Sequence, residues 1–133
     1  MKPTDDGFLK EDPVYALIID DDVEIRRLLN LILGRMGYQV REAINGREGL
    51  EILRKGPLPT LVLVDWKMPE MDGVTFLRAV RSDRELMKLR IMMVTGLNEL
   101  NEIESALDAG ADEYLMKPFT QRTLREKLAI LGL

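Results

Sequence analysis

Apolar residues fall along the chain in two alternating patterns. Short runs of β-branched and aliphatic residues occur at 15–19, 38–42, 60–64, 90–94 and 113–116. Most are continuously apolar, as strands covered on both faces are. Between them the apolar period changes to three and four. Ile25, Leu28, Leu29, Ile32, Leu33 and Met36 define one face of a first helix. A second is expected over 46–55, closed by Gly56-Pro57 because proline cannot continue a helix and restricts the residue before it. A third follows Asp72-Gly73 with Phe76, Leu77 and Val80 inward. A fourth is capped by Asn98, turns Ile103 and Leu107 inward and stops at Gly110. A fifth begins near Thr120 and buries Leu124, Leu128 and Leu131. Five strand-helix pairs in alternation predict an α/β fold, a five-stranded parallel sheet wound with helices on both faces.

Length and composition narrow the chemistry. A chain of 133 residues with 46% hydrophobic residues can fill one core without metals or disulfides. Residues 1–13 are polar and charged and read as a flexible leader, which leaves 14–133 as the folded domain. The absence of Cys and His removes thiolate nucleophiles, the common structural zinc sites and the usual imidazole base. Carboxylates, Lys, hydroxyls and an oxygen-preferring metal remain. With 23 acidic against 19 basic residues and no basic block, nucleic acid is not an expected partner. The apolar runs are far shorter than the ~18 residues of a membrane span. A soluble, cytoplasmic protein, monomeric or weakly dimeric and not inserted in a membrane, is the expectation.

Ligands of a doubly wound sheet bind beyond the carboxyl ends of its strands. The first strand is followed by Asp20-Asp21-Asp22, the third by Asp65, the fourth by Thr95 and the fifth by Lys117-Pro118. Each has an ordinary reading: Asp22 caps the first helix, a strand-ending Thr is common, and Lys-Pro makes a turn. Capping explains an isolated Asp pair equally well. Placement of all these groups at the ends of four strands is harder to assign to caps and turns. Carboxylates crowded together repel unless a cation sits between them or their pKa values rise. With Asp20, Asp21 and Asp65 ionised, Lys117 and one Mg²⁺ bring the formal charge to zero, and Mg²⁺ suits carboxylate, water and phosphate oxygens.

The segments Ile18-Ile19-Asp20-Asp21-Asp22, Leu63-Val64-Asp65-Trp66-Lys67-Met68-Pro69-Glu70-Met71-Asp72-Gly73, Met93-Val94-Thr95-Gly96 and Tyr114-Leu115-Met116-Lys117-Pro118-Phe119 resemble, in this order and spacing, the receiver domain of two-component response regulators, above all the stand-alone chemotaxis type. The resemblance runs from Tyr15 to the C-terminus. It implies a flavodoxin-like fold with strand order 2-1-3-4-5 and a cis peptide at Lys117-Pro118. It implies Asp65 as phosphoacceptor, taking a phosphoryl group from the phosphohistidine of a sensor histidine kinase. Asp20, Asp21, Asp65 and the backbone carbonyl of Lys67 would hold Mg²⁺. Thr95 and Lys117 would bind the phosphoryl oxygens, and Thr95 with Tyr114 would form the switch. A downstream protein effector would bind the face of helix four, strand five and helix five, including Tyr114, Phe119 and Arg122. The chain ends soon after helix five, so output through binding, without a separate output domain and without turnover of a free substrate, is expected.

Lys67 and Leu97 depart from the chemotaxis pattern, where Asn and an acid are common, and are expected to slow phosphate loss. Gly96 keeps the small residue usual at its place. Three other readings compete. A haloacid-dehalogenase-like phosphohydrolase would carry a second Asp where Lys67 stands. A degenerate interaction module would lack site residues. A flavin site would need a phosphate-binding loop where three Asp residues lie.

Overall fold

The computed structural model describes residues 14–96 and 100–133, apart from the side chains of residues 100–102. The expected leader at 1–13, the N-cap at Asn98 and the rim residue Leu97 lie outside the described residues. The elements alternate as β1 (Tyr15–Ile19), α1 (Val23–Arg35), β2 (Gln39–Ala43), α2 (Gly46–Lys55), β3 (Leu61–Asp65), α3 (Gly73–Arg81), β4 (Ile91–Gly96), α4 (Leu100–Asp108), β5 (Glu113–Lys117) and α5 (Gln121–Ile130). The sheet is parallel throughout, in the order β2-β1-β3-β4-β5.

Alternation along the strands divides the core. Ala16, Ile18, Leu61, Leu63, Met92, Val94 and Leu115 meet Leu29, Ile32 and Leu33 of α1 and Leu124 and Leu128 of α5. Leu17, Ile19, Val62, Val64, Ile91 and Met93 meet Leu50 and Leu53 of α2, Phe76, Leu77 and Val80 of α3, and Ala106 of α4. One set of apolar residues thus serves one face and the intervening set the other, and the two-sided burial predicted for the strands follows. At the edge, β2 keeps only Ala43 buried.

Helix starts are set by side-chain caps. Asp22 accepts from Glu24 and Ile25 N–H, Asn45 from Glu48, Asp72 from Thr75 and Thr120 from Thr123. Each satisfies an amide that a helix cannot pair within itself. Two inward assignments are corrected. Leu28 and Leu107 are 40% and 43% exposed. In α1 the stripe over the sheet is narrower than the apolar period, and in α4 it is the small Ala106 that packs down. Strands three, four and five extend past the expected ends, so Asp65, Thr95 and Lys117 are themselves strand residues held in the sheet.

Candidate functional site

Asp65 ends β3 and is paired in register with Val94, so Thr95 stands one residue further along the neighbouring strand. Ile19, the last residue of β1, pairs with Val64 and delivers Asp20 to the same level. Lys117 ends β5, in register with Gly96. Strand order therefore gathers these side chains at the carboxyl end of the sheet, where the connections after β1 and β3 leave toward opposite faces.

Carboxylate oxygens of Asp20, Asp21 and Asp65 lie within 4.8 Å of one another. Asp20 is buried, Asp65 partly buried and Asp21 exposed. Lys117 Nζ reaches Asp65 Oδ1 at 3.3 Å and Asp20 Oδ2 at 3.4 Å. The amide of Trp66 donates to Asp65 Oδ1 at 2.9 Å, and that of Asp22 to Asp20 Oδ1 at 2.9 Å. These donors do not offset the crowding. Burial, and next the charge of Asp20, push the Asp65 carboxyl up to about 6. Burial also raises Asp20. For Lys117 burial alone would favour the neutral amine, but Asp65 and Asp20 together outweigh it and raise its pKa. An ammonium bridging two carboxylates at ordinary pH is the result.

Thr95 is fully buried, and its Oγ1 has no hydrogen-bond partner among the described residues. A buried hydroxyl left unpaired costs on the order of 1–3 kcal/mol, so such atoms call for a partner. Gly73 closes the floor. Its amide donates to Trp66 O at 3.0 Å, and a Cβ there would collide with the carbonyl oxygen of Asp65. Lys67 is exposed, two residues beyond Asp65 in the connection to α3. Lys117-Pro118 is cis, as the resemblance implies, and Gly56-Pro57 is cis as well.

Tyr114 lies outside this cluster, half-buried on β5. Lys127 of α5 places Nζ 3.8 Å from the centre of its ring and 3.1 Å from Glu113 Oε1. Phe119 packs partly against the α1/α5 core, while Arg122 is exposed and pairs with Glu126 at 3.3 Å. The structure thus brings Asp20, Asp21, Asp65 and Lys117 into one cluster, seats Thr95 beside Asp65's register partner, and leaves Tyr114 on a separate face.

Arg26 and Glu42 escaped the reading of the sequence. Arg26 Nη1 donates to the carbonyl of Asp20 at 2.7 Å, and its Nε to Glu42 Oε1 at 2.9 Å. Arg26 stands between the apolar positions of the first helix and Glu42 at the end of the second strand run, and each by itself looks like a solvated charge. The available signal was an Arg one turn into a helix that starts from the acidic run.

Oxygen donors at this spacing fit a hard divalent cation such as Mg²⁺, which takes few protein carboxylates and keeps several waters. Among the described residues no helix is long and apolar enough to cross a membrane.

The receiver-domain family model of response regulators matches residues 16–129. The chain is 38% identical over 116 residues to chemotaxis protein CheY1 of Helicobacter pylori, spanning 86% of this chain and 94% of that protein. To chemotaxis protein CheY of Pseudomonas aeruginosa it is 40% identical over 113 residues, spanning 84% and 90%. The structure of chemotaxis response regulator CheY4 of Vibrio cholerae superposes with a TM-score of 0.81 at 30% identity, covering 89% of this chain and 98% of that one. A response regulator receiver domain protein from Clostridium thermocellum superposes with a TM-score of 0.78 at 30% identity, covering 90% and 92%. Sheet order, the acidic cluster and these likenesses agree, and the chain belongs to the response regulator receiver domain family.

Proposed function

We propose that the chain is a phosphorylation-driven signalling switch with Asp65 as phosphoacceptor. The observation that carries this reading is the convergence of three carboxylates and one ammonium beside a buried, unpartnered hydroxyl at the strand ends. An Asp65 oxygen attacks the phosphorus of a kinase phosphohistidine. The P–N bond breaks, and the imidazole leaves with its electron pair. The aspartyl phosphate that results carries charge on three oxygens, and the catalytic task is to align and neutralise them. Lys117 is placed to pair with one phosphoryl oxygen, and Thr95 Oγ1 gains in another the acceptor it lacks. Asp20, Asp21, Asp65 and the carbonyl of Lys67 would hold Mg²⁺, which supplies positive charge to the oxygens in transfer.

Signalling follows from the same contacts. Thr95 precedes α4 and Lys117 precedes α5, so drawing both toward one phosphoryl group biases the face of α4, β5 and α5. Tyr114, under Lys127, lies on that face and would change orientation with it. A protein effector binding there, with no free small-molecule substrate, is the output, as the chemotaxis names of the relatives suggest.

Incubation with acetyl phosphate and Mg²⁺, followed within minutes by intact-mass measurement, tests the chemistry. One phosphoryl group per chain is expected for wild type and none for Asp65→Asn. Full labelling of Asp65→Asn, or none of wild type, would refute the assignment.

A further inference from the structure

We infer that Arg26 is a positioning residue for the divalent-cation site and that Glu42 is its charge partner, an inference that rests on the Mg²⁺ reading above. Besides its contact with Lys117, Asp20 is held by three further hydrogen bonds. Its amide donates to Ala43 O of β2 at 3.1 Å, its side chain accepts from Asp22 N–H at 2.9 Å, and its carbonyl accepts from Arg26 Nη1 at 2.7 Å. That carbonyl belongs to the peptide joining Asp20 to Asp21. Fixing its plane therefore fixes where the chain of Asp21 leaves the strand, and the Asp21 carboxylate itself is exposed.

A bare guanidinium so close to the acidic cluster would repel a divalent cation. Glu42 removes that cost. Its Oε1 accepts from Arg26 Nε at 2.9 Å, and its Oε2 accepts from Asn30 Nδ2 at 2.8 Å, which pins the carboxylate on the edge strand. The Arg26 side chain is 14% exposed and that of Glu42 34%, so salt still reaches the pair from the Glu42 side. A planar fork meets a carbonyl and a carboxylate together, which the single ammonium of lysine does poorly. The brace gives orientation to the loop while its own charge is cancelled.

Mg²⁺ titration of the whole chain, followed by Trp66 fluorescence and by calorimetry at low and high ionic strength, tests this. Arg26→Met should weaken Mg²⁺ binding on the order of tenfold at both salt concentrations, as loss of a group that orients metal ligands does. Glu42→Gln should weaken it about threefold at low salt and hardly at all at high salt, because it leaves the guanidinium uncompensated. The double variant should be no weaker than Arg26→Met, since Glu42 acts through Arg26. A merely structural role would lower melting temperature and leave the affinities of the folded proteins equal. Equal affinities for wild type and Arg26→Met would overturn the inference. Should Arg26→Met not fold, a Glu42→Gln affinity that matches wild type at low salt would overturn it alone. No binding by wild type would overturn the Mg²⁺ reading, and the brace with it.

Discussion

Two charged clusters sit at opposite conditions of satisfaction. Arg81, at the end of α3, donates to Gly110 O at 2.9 Å, Met87 O at 2.8 Å, Leu89 O at 2.6 Å and Asp112 Oδ2 at 2.9 Å. Asp112 also accepts the amide of Ile91 at 2.8 Å. Gly110, at φ 113°, leaves room for it, as a Cβ there would lie 2.8 Å from Arg81 Cγ. At the strand ends, by contrast, one ammonium is shared between two carboxylates at 3.3 and 3.4 Å, and Thr95 Oγ1 has no partner among the described residues. The first cluster is complete and staples the connection between α3 and β4 to that between α4 and β5. The second leaves its groups unsatisfied: three carboxylates crowd around one ammonium, and a buried hydroxyl has no acceptor among the described residues. Buried polar groups left short of partners mark where a ligand belongs.

Breaking the complete cluster should have the largest effect on stability. Arg81→Ala strands three carbonyls and a carboxylate, and should cost about 3 kcal/mol in urea unfolding. Mg²⁺ affinity of the folded variant should stay at the wild-type value. A stability loss near zero would show that the staple is replaceable by water.

Breaking the incomplete cluster should show the reverse pattern. Thr95→Val removes a buried hydroxyl that has nothing to bond, so its stability should equal wild type or exceed it by up to ~1 kcal/mol. The fluorescence and amide-exchange changes that a phosphate mimic induces across 96–122 should shrink in the same variant. A clear destabilisation would mean that Thr95 Oγ1 already serves the resting fold.

The same contrast explains what the sequence could reveal. Asp20, Asp21, Asp65, Thr95 and Lys117 were legible because strand ends converge by topology, and a polar residue at such an end is conspicuous against an apolar run. Arg26, Glu42, Arg81 and Asp112 were not. Their meaning lies in distances across 16 and 31 residues of chain, and singly each looks like a solvated surface charge. Leu28 and Leu107 misled for the opposite reason, since apolar period records what could be buried and not how wide the contact is. Asn45 was overlooked as the cap of α2, although Glu48 three residues on, accepting Ile44 N–H at 3.0 Å, completes a capping pattern.

Under the proposed function, the crowding at the strand ends is a cost the fold carries for its ligands. Asp65 holds its proton more tightly when folded, at about 6 against the ordinary 3.8. Between those values the folded protein retains a proton the unfolded chain has lost, so this group makes stability fall as pH rises through that window. Thermal unfolding of wild type and Asp65→Asn, with and without Mg²⁺, is the direct measurement. Without Mg²⁺ at neutral pH, Asp65→Asn should be the more stable by on the order of 1 kcal/mol, the pKa shift being discounted for solvent screening, and the gain should vanish as pH falls toward 3.8. Mg²⁺ at a hundred times its dissociation constant should add about 2.7 kcal/mol to wild type and far less to the variant, reversing the order. A wild type that is the more stable without Mg²⁺ and gains nothing from its addition would contradict the account.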